Sequence, residues 1–338
     1  MGSAFTKALY ALGVLLYHLR LHHLVMRLGR GNPKVLLFHD VSERESAYTA
    51  GLDCTLAPRV FERHLDYVGR HYRVVDIAAL EAGGVPPGSV AITFDDGYRS
   101  VHDHAYPALK ARNFPSTVYI ITDVVDNGEL VWVNELNYYL HAHGAAALPI
   151  AIAAFGLPAD SRPEQVIAEA RVRYDRVRIR SLLEELRKAL GISAPELARE
   201  ATLYVDWDQI AEMRRFGVTF GNHTMSHPNL AAITKGEQHA EIAGAQAVLT
   251  AHLGEVTSLA YPFGHHSDET APIAGSIGLK SIAEVGGTNA PLRAHGIGRV
   301  HVSATSHAGL FAQMEVVEPV KARLRGLLSR FAGVRFGG

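Results

Sequence analysis

The sequence predicts an α/β fold, a parallel sheet or barrel of βα units that is interrupted by one helical insertion. Short runs of apolar and β-branched residues alternate with helix-length segments, which is the pattern of parallel strands joined by helices. Several of these runs end in charged or histidine residues, as expected where a barrel places its functional side chains. Between residues 128 and 205 the alternation stops and helical signals take over, which indicates an insertion beside the barrel mouth.

The most informative strand runs directly into two carboxylates. Val90, Ile92 and Thr93 favour a buried strand, and Asp95 and Asp96 follow it. Because successive side chains of an extended segment point to opposite sides, the two carboxylates are expected to have different roles. Two buried anions are unfavourable unless a partner compensates them, so a bound cation or strong hydrogen-bond donors are predicted here.

The other elements follow from the same periodicity, and seven or eight strands are predicted in all. The strands, some with the turn that follows, are Val35–Val41, Arg73–Ile77, Val90–Tyr98, Ser116–Ile121, Val218–Thr224, Ser258–Gly264, Lys280–Val285 and Arg299–Ser303. The helices of the barrel are Pro58–His71 with Thr55 as N-cap, Ala105–Arg112, Trp207–Arg215, one that a capping box at Thr234–Glu237 opens and Gly254 closes, and one ending near Gly278.

Two further capping boxes predict the helices of the insertion. Ser161–Glu164 opens a helix that can run to Leu190, and Ser193–Glu196 opens a shorter one. The charges along Arg171–Lys188 are most simply a solvated face and do not indicate nucleic-acid binding. A group of side chains at the start of the insertion predicts either core packing, the commoner outcome, or a sugar-stacking wall: Trp132, Asn134, Tyr138 and Tyr139.

Length and composition favour one large domain with terminal segments. With 338 residues, 48% of them hydrophobic, the chain is divided into an N-terminal helix (1–33), a barrel (34–304, with insertion 128–205) and an amphipathic C-terminal tail (305–338). The net charge of −1 gives no bulk attraction to nucleic acid. The single cysteine, Cys54, excludes an intramolecular disulfide framework.

The N-terminal segment is apolar and basic. Ala8–Leu19 is too short to span a bilayer, and basic residues follow it instead of a small-residue cleavage site. A helix packed on the domain is the simplest interpretation, and peripheral membrane contact through residues 5–30 is the alternative. A cytoplasmic or membrane-associated location is therefore favoured over export.

Two histidines four residues apart follow a later strand. Pro228, directly after His227, disfavours helical geometry there, so His223–His227 is predicted to be a turn. Two imidazoles at one strand end and a carboxylate at another form a three-ligand metal site with an open position. Such a histidine pair alone is common, but its combination with Asp95 and Asp96 is a much stronger signal.

These motifs resemble those of the polysaccharide deacetylases, the carbohydrate esterases of the NodB-homology type. Thr93–Tyr98 matches the family's first motif, His223–His227 matches its H-[ST]-x-x-H motif, and Tyr261–Gly264 is similar to the end of its R-x-P-[YF]-G motif. Leu37–Asp40 resembles the [YF]-H-D strand that begins one group of the family. The resemblance covers roughly residues 35–303 outside the insertion, and it implies a distorted (β/α) barrel of seven or eight strands.

The resemblance also implies roles for individual residues. Asp96, His223 and His227 would bind a divalent metal, most often zinc, with Co²⁺ or Ni²⁺ as alternatives. Asp95 would be the general base for a metal-bound water, whose pKa a divalent cation lowers to about 7. The backbone N–H of Phe263 would stabilise the oxyanion.

The proton donor and the contacts to substrate are less directly implied. His39 is expected to be the general acid, with His301 and His295 as alternatives and a structural role as the default for each. Tyr98 and Trp132 are expected at the substrate site. Where the third motif carries arginine this chain has Ala260, so another group, with Arg299 as the candidate, is expected to orient the base.

The predicted function is therefore metal-dependent hydrolysis of acetyl groups, most simply N-acetyl, on a carbohydrate. The substrate would be a polymer, an oligomer or a lipid-linked sugar. Two alternatives remain at this point: a catalytically impaired carbohydrate-binding module on the same fold, and an amidohydrolase for another C–N bond, because the pocket and not the fold selects the substrate.

Overall fold

Eight parallel strands form the centre of the computed structural model, which describes residues 3–29, 33–285 and 297–324. The strands are β1 Lys34–Phe38, β2 Arg73–Val74, β3 Ser89–Phe94, β4 Ser116–Ile120, β5 Val218–Asn222, β6 Ser258–Ala260, β7 Ser281–Val285 and β8 Ile297–His301. All residues of β1, β3 and β4 are buried, as expected for strands that are covered on both faces.

Seven of these strands close into a ring. β1 pairs with both β3 and β8, and the remaining pairs follow in the order β3, β4, β5, β6, β7, β8. The short β2 lies outside this ring, beside the start of β3. Pairing is uneven, since β5 and β6 share a single residue pair, Asn222 with Leu259. The predicted distorted barrel is confirmed.

Fourteen α-helices surround the barrel in the described part of the chain. They are α1 Ser3–His18, α2 His22–Gly29, α3 Pro58–His71, α4 Ile77–Ala82, α5 Tyr106–Ala111, α6 Trp132–Ala142, α7 Gly144–Phe155, α8 Pro163–Val172, α9 Arg176–Leu190, α10 Ala194–Ala201, α11 Trp207–Arg214, α12 Lys235–Leu253, α13 Thr270–Ser276 and α14 His307–Phe311. The capping box at Thr234 and the end of α12 at Gly254 are confirmed.

Local hydrogen bonds overturn several predicted boundaries. Thr55 does not cap α3, whose N-cap is Ala57. The Thr55 hydroxyl instead donates to the Asp40 carboxylate at 2.8 Å. The second strand stops at Val74, because the Asp76 side chain accepts a hydrogen bond from the Ala78 N–H and starts α4.

The predicted helix from Ser161 to Leu190 is also wrong, since it is two helices. α8 begins one residue later than expected, with Arg162 as its N-cap, and ends at Val172. Asp175 then caps α9 by accepting from the Arg178 N–H at 3.0 Å. Ser193 does stand at the N-cap of α10, but its side chain makes no cap hydrogen bond. An internal aspartate that caps a new helix thus divides the segment.

The insertion packs as α6–α10 between β4 and β5. Its basic residues are not simply a solvated face: Arg187 donates to both oxygens of the buried Glu135, at 2.6 and 2.7 Å, and Arg176 donates to Glu241 at 2.5 Å. Three of the four polar and aromatic residues at its start are buried, namely Trp132, Asn134 and Tyr139. These ion pairs tie the insertion to itself and to the barrel.

The two terminal segments pack against each other. α1 lies on α14 and on the π turn Ala312–Val317, with the Tyr17 and Phe311 ring centroids 6.0 Å apart. Gly13 is required for this contact, because a Cβ there would lie 2.6 Å from the Ala312 Cβ. α1 and α2 therefore form a hairpin whose inner side is held by the C-terminal segment.

The outer side of this hairpin is apolar. It carries seven of the eleven exposed large hydrophobic side chains of the described residues, namely Phe5, Leu12, Leu15, Leu19, Leu21, Leu24 and Leu28. No single described helix has the length and apolar content to cross a membrane. The pair 4–18 and 22–29 meets both criteria only when taken together, across a bend of 114°.

Candidate metal centre and active site

The two carboxylates lie in a left-handed turn at the end of β3. Asp95 continues the strand, since its N–H donates to the Phe38 carbonyl at 3.1 Å, whereas Asp96 has φ +69° and Gly97 has φ +70°. A side chain at Gly97 would be strained by this φ, and its Cβ would lie 3.0 Å from Ile120. The two carboxylates are separated as predicted, with Asp95 buried and Asp96 at the barrel mouth, but a left-handed turn and not an extended segment separates them.

The histidine motif is a turn after β5, as Pro228 predicted. Thr224 and His227 have positive φ, +68° and +59°. The turn is closed by two side chains: Asn222 accepts from the Thr224 N–H at 2.8 Å, and Thr224 accepts from the His227 N–H at 3.1 Å. Both imidazoles are consequently buried and point to the same place.

A glutamate that sequence reasoning missed holds the loop between the histidines. The Glu241 carboxylate, on α12, accepts from the N–H groups of Met225 and Ser226 at 3.1 and 2.9 Å and from the Ser226 hydroxyl at 2.7 Å. Arg176, at the start of α9, donates to the same carboxylate. No linear motif marks Glu241, because its partners come from two distant segments.

The three predicted ligands converge. Asp96 Oδ1 lies 3.3 Å from the Nε2 atoms of both His223 and His227, and the three donor atoms lie within 4.8 Å of one another. Donors bonded to a tetrahedral zinc at about 2.0–2.2 Å are separated by about 3.3–3.5 Å. One carboxylate and two imidazoles at this separation therefore fit a divalent cation and leave positions open for other ligands.

Hydrogen bonding prepares one imidazole for this role. His223 Nδ1 lies 2.9 Å from the carbonyl oxygen of Ala260. A carbonyl oxygen only accepts, so Nδ1 carries the proton and Nε2 presents its lone pair to the site. The Trp132 indole N–H donates to the His227 carbonyl at 2.9 Å and fixes that end of the loop.

The charges of the site favour the metal-binding protonation states of two ligands. Burial works against ionised Asp96, but the neighbouring histidines lower its pKa well below the ordinary value. Burial lowers the pKa of His227 to about 3, so it is neutral. For His223, burial is outweighed by Asp95 and Asp96, which raise its pKa. His223 is thus the ligand whose proton a cation has to displace.

Arg299 pairs with the other carboxylate. Its Nη1 and Nη2 donate to Asp95 Oδ1 and Oδ2 at 2.6 and 2.7 Å, and both side chains are buried. Burial alone would raise the pKa of Asp95, but the guanidinium lowers it below the ordinary value. Arg299 lies 5.2 Å from the centroid of the Tyr119 ring, which Gly221 accommodates, since a Cβ there would lie 2.4 Å from that ring.

Two of the three candidate proton donors lie together at the mouth. The His39 and His301 rings are 5.4 Å apart, at the ends of β1 and β8. Burial lowers the pKa of His39 to about 4, partly opposed by Asp96 and Asp95, and its Nδ1 is buried without a hydrogen-bond partner. Burial also lowers the pKa of His301. His295 lies outside the described residues.

The residues predicted to contact substrate have different positions. Phe263, with φ +56°, places its ring 4.4 Å from the His227 ring and is partly exposed. Trp132 packs against Phe263 at 5.8 Å. Tyr98 is buried, and its hydroxyl accepts a hydrogen bond from Asn134 at 2.9 Å. Phe263 and Trp132 therefore border the three ligands, whereas Tyr98 is part of the buried core and contacts Asn134 of the insertion.

Two further residues at the mouth were not predicted. Arg171, on the last turn of α8, lies with its guanidinium carbon 4.6 Å from the Phe263 ring centroid. Tyr174, in the break between α8 and α9, packs on Trp132 at 5.4 Å. The charged run Arg171–Lys188 was interpreted as a solvated face, and the helix break that brings both side chains to the site was not expected.

A (β/α) barrel that gathers a carboxylate and two imidazoles beside an arginine-paired aspartate has an arrangement typical of metal-dependent hydrolases. The sequence matches the family model described as polysaccharide deacetylase over residues 82–282, which is more than half of the chain. The chain belongs to the polysaccharide deacetylase family, a family of divalent-metal-dependent hydrolases of acetylated polysaccharides, and the predicted enzyme class is confirmed. No curated protein sequence matches the chain.

Solved structures share the fold at low sequence identity. A deacetylase PplD from Streptococcus pyogenes, in complex with acetate, is 18% identical with a TM-score of 0.58, over 84% of this chain and 98% of that one. IcaB from Ammonifex degensii is 21% identical with a TM-score of 0.55, over 83% and 97%. A de-N-acetylase from Aggregatibacter actinomycetemcomitans is 17% identical with a TM-score of 0.54, over 84% and 100%.

Proposed function

We propose that this chain removes N-acetyl groups from a carbohydrate, a glycan or a lipid-linked sugar, with a divalent cation held by Asp96, His223 and His227. Zinc is the first candidate because a carboxylate and two imidazoles are a zinc ligand set. The observation that carries the proposal is the placement of the arginine-paired Asp95 beside this set, with its Oδ2 3.9 Å from His223 Nε2. When bound, the cation would activate water and polarise the acetyl carbonyl.

Asp95 has the properties of a general base for this reaction. Its bidentate pair with Arg299 fixes the orientation of the carboxylate and keeps it ionised. An ionised, oriented carboxylate next to the ligand set can accept the proton of the attacking water. Arg299 thus acts as a positioning residue and supplies the guanidinium that is absent at position 260.

His39 is the proposed acid for the leaving amine. Burial keeps its imidazole neutral in the free site, so it has to gain a proton in the complex before it donates one. The carboxylates of Asp95 and Asp96 raise its pKa and favour that uptake. His301, in ring contact with His39, is the alternative donor. The backbone N–H of Phe263 is proposed to bind the oxyanion.

Acetate release tests this function. The chain, loaded with zinc or cobalt, is assayed on N-acetylglucosamine oligomers, with Asp95→Asn as the matched variant, because it keeps the shape of the carboxylate and removes the base. We expect the variant to retain metal and to lose about 10²–10⁴-fold in rate. Equal rates in the two proteins would exclude Asp95 as the base, and release of formate but not acetate from matched amides would favour a non-acetyl substrate.

We also propose that α1 and α2 rest on a membrane surface, which would place the enzyme near lipid-linked or surface glycans. Their outer side is apolar, and the sequence contains no acidic residue before Asp40 but contains the basic residues Lys7, Arg20 and Arg27. Apolar burial and attraction to anionic lipid together drive such interfacial binding. A membrane-associated location is thus favoured over export.

A further inference from the structure

Arg171 is a cation at the edge of the metal site that the proposed chemistry does not use. Its guanidinium lies over the Phe263 ring, which itself contacts the ring of His227. The charge of Arg171 acts on two of the ligands: it is attracted to Asp96, and it lowers the pKa of His227. The side chain therefore lies within electrostatic range of the reacting centre.

Within residues 3–29, 33–285 and 297–324, Arg171 has no acidic partner. Its Nε is buried without a hydrogen-bond partner, and burial lowers its pKa. Three other arginines of the insertion differ in this respect, since Arg173 pairs with Glu169, Arg176 with Glu241 and Arg187 with Glu135. An unpaired, largely buried guanidinium is unfavourable unless a ligand supplies the anion.

The position of Arg171 is fixed by the same loop that carries the ligands. Asn229, two residues after His227, donates through its side chain to the Arg171 carbonyl at 3.0 Å. Three residues further along the insertion, Tyr174 packs on Trp132, which donates to the His227 carbonyl. These contacts hold the helix break after Val172 against the histidine loop. They therefore fix the backbone of Arg171 beside the metal site.

Charge considerations indicate what would bind there. A cation at Asp96 and a guanidinium beside it repel each other, so Arg171 does not serve to hold the metal. With a cation held by Asp96 and the two histidines, Arg171 would add a second positive charge on the Phe263 side of the mouth. A guanidinium that lies over an aromatic ring can also bind a carboxylate or a phosphate, through up to two hydrogen bonds.

We propose that Arg171 recognises an anionic group, a carboxylate or a phosphate, that the carbohydrate carries next to its acetylated position. This inference rests on the deacetylase function proposed above and adds the charge of the substrate to it. Arg171 is accordingly a specificity-determining residue, and the acetylated sugar it selects is an anionic one.

The test compares substrates that differ in charge. Acetate release is measured for N-acetylglucosamine, for N-acetylglucosamine 1-phosphate and for a disaccharide of N-acetylglucosamine with glucuronic acid, using wild type, Arg171→Gln and Arg171→Lys. We expect Arg171→Gln to lower kcat/KM for one or both charged substrates about ten- to a hundredfold more than for the neutral sugar. Arg171→Lys is expected to recover part of this difference, and high salt to reduce it in wild type.

Arg173→Gln is the matched control, because Arg173 is on the same helix end but its side chain is 65% exposed. It is expected to leave all three rates within about twofold of wild type. Equal losses on neutral and charged substrates in Arg171→Gln, or no loss on either charged substrate, would overturn the proposal. A loss confined to the phosphate or to the uronate identifies which anion is recognised.

Binding measured by calorimetry, without turnover, separates this inference from the deacetylase function. We expect the charged sugars to bind wild type more tightly than Arg171→Gln. If no substrate releases acetate while this difference in binding persists, the deacetylase function is wrong and the anion site stands. If acetate is released and binding does not depend on Arg171, the anion site is wrong and the function stands.

Discussion

Arg299 and Asp95 are 204 positions apart in the chain, yet they make two parallel hydrogen bonds of 2.6 and 2.7 Å inside the barrel. The guanidinium reaches the carboxylate from β8, whereas Ala260 on β6 stands where the family motif has arginine. The arginine of the buried ion pair therefore comes from β8 and not from β6. The absence of the motif arginine at Ala260 does not leave Asp95 unpaired.

Replacing Arg299 by Gln is expected to reduce acetate release about a hundredfold, because the base loses the group that orients and ionises it. With the guanidinium gone, burial raises the pKa of Asp95, so the acid limb of the pH–rate profile shifts to higher pH. Rates measured across pH with zinc present test this, with Arg299→Lys as the variant that keeps the charge. An unshifted acid limb in Arg299→Gln would contradict the role.

The same ion pair is expected to contribute to stability in a pH-dependent manner. Because the folded pKa of Asp95 is lowered, its contribution is present above the unfolded value of about 4 and is lost as the pH falls through the folded value. Removing one partner of a buried pair costs about 3–5 kcal/mol. Urea unfolding of Arg299→Gln and wild type at neutral pH measures this, and a difference below about 1 kcal/mol would refute it.

Zinc binding is expected to weaken in acid because of one histidine. The pKa of His223 is raised above the ordinary value of about 6.5, so the cation competes with a proton on this ring, whereas His227 is already neutral. Zinc titrations followed by calorimetry from pH 8 downwards are expected to show a release of protons per zinc that increases towards one as the pH falls. Release of no proton at neutral pH would indicate that His223 is neutral before binding.

Glu241→Gln is expected to weaken zinc binding about ten- to a hundredfold, although Glu241 is not a ligand. The amide cannot accept all the hydrogen bonds that the carboxylate receives from Met225, Ser226 and Arg176, so the loop between the histidines loses its support. Glu185→Gln, an exposed position on α9, is the control. Unchanged zinc affinity in Glu241→Gln would show that the loop is held without it.

The hairpin of α1 and α2 is expected to bind anionic vesicles. Leu15→Ser, Leu19→Ser and Leu24→Ser combined remove exposed apolar surface and are expected to reduce binding to phosphatidylglycerol vesicles at least about tenfold. Val177→Ser removes an even more exposed apolar side chain from the insertion and serves as control. Sedimentation with vesicles measures both, and equal binding of the triple variant and wild type would exclude this surface.

The strands, the two motif turns and the convergence of Asp96 with the histidines could be predicted, because each follows from residues close together in sequence. The separation of Asp95 from Asp96 was predicted from the alternation of an extended segment, although a left-handed turn at Asp96 produces it, and Pro228 predicted that the histidine motif ends in a turn. The helix break before Asp175 could not be predicted, because the helical periodicity continues through this segment while Asp175 can also act as the N-cap of a new helix. The break is accompanied by the packing of Tyr174 on Trp132, a contact between segments that are distant in sequence.

Contacts between distant segments were the least predictable part of the site. Arg299 was a candidate partner for Asp95, but its pairing depends on the closure of β8 onto β1, which no local pattern encodes. Arg171 was interpreted as one charge of a solvated face, since its neighbours in sequence are also basic. Whether such a residue meets an acid or remains unpaired is decided by the surface on which its helix packs.

The close approach of Gly13 to Ala312 joins α1 to the segment after β8, so deletion of one of them affects the other. α1 covers α14 and the π turn after it, so removal of the first thirty residues would expose apolar side chains such as Phe311 and Val316 to water. Deletion of α14 and Ala312–Val317 would remove the surface on which α1 packs. We therefore expect these ends to unfold together, and a deletion of either segment to expose apolar surface that promotes aggregation.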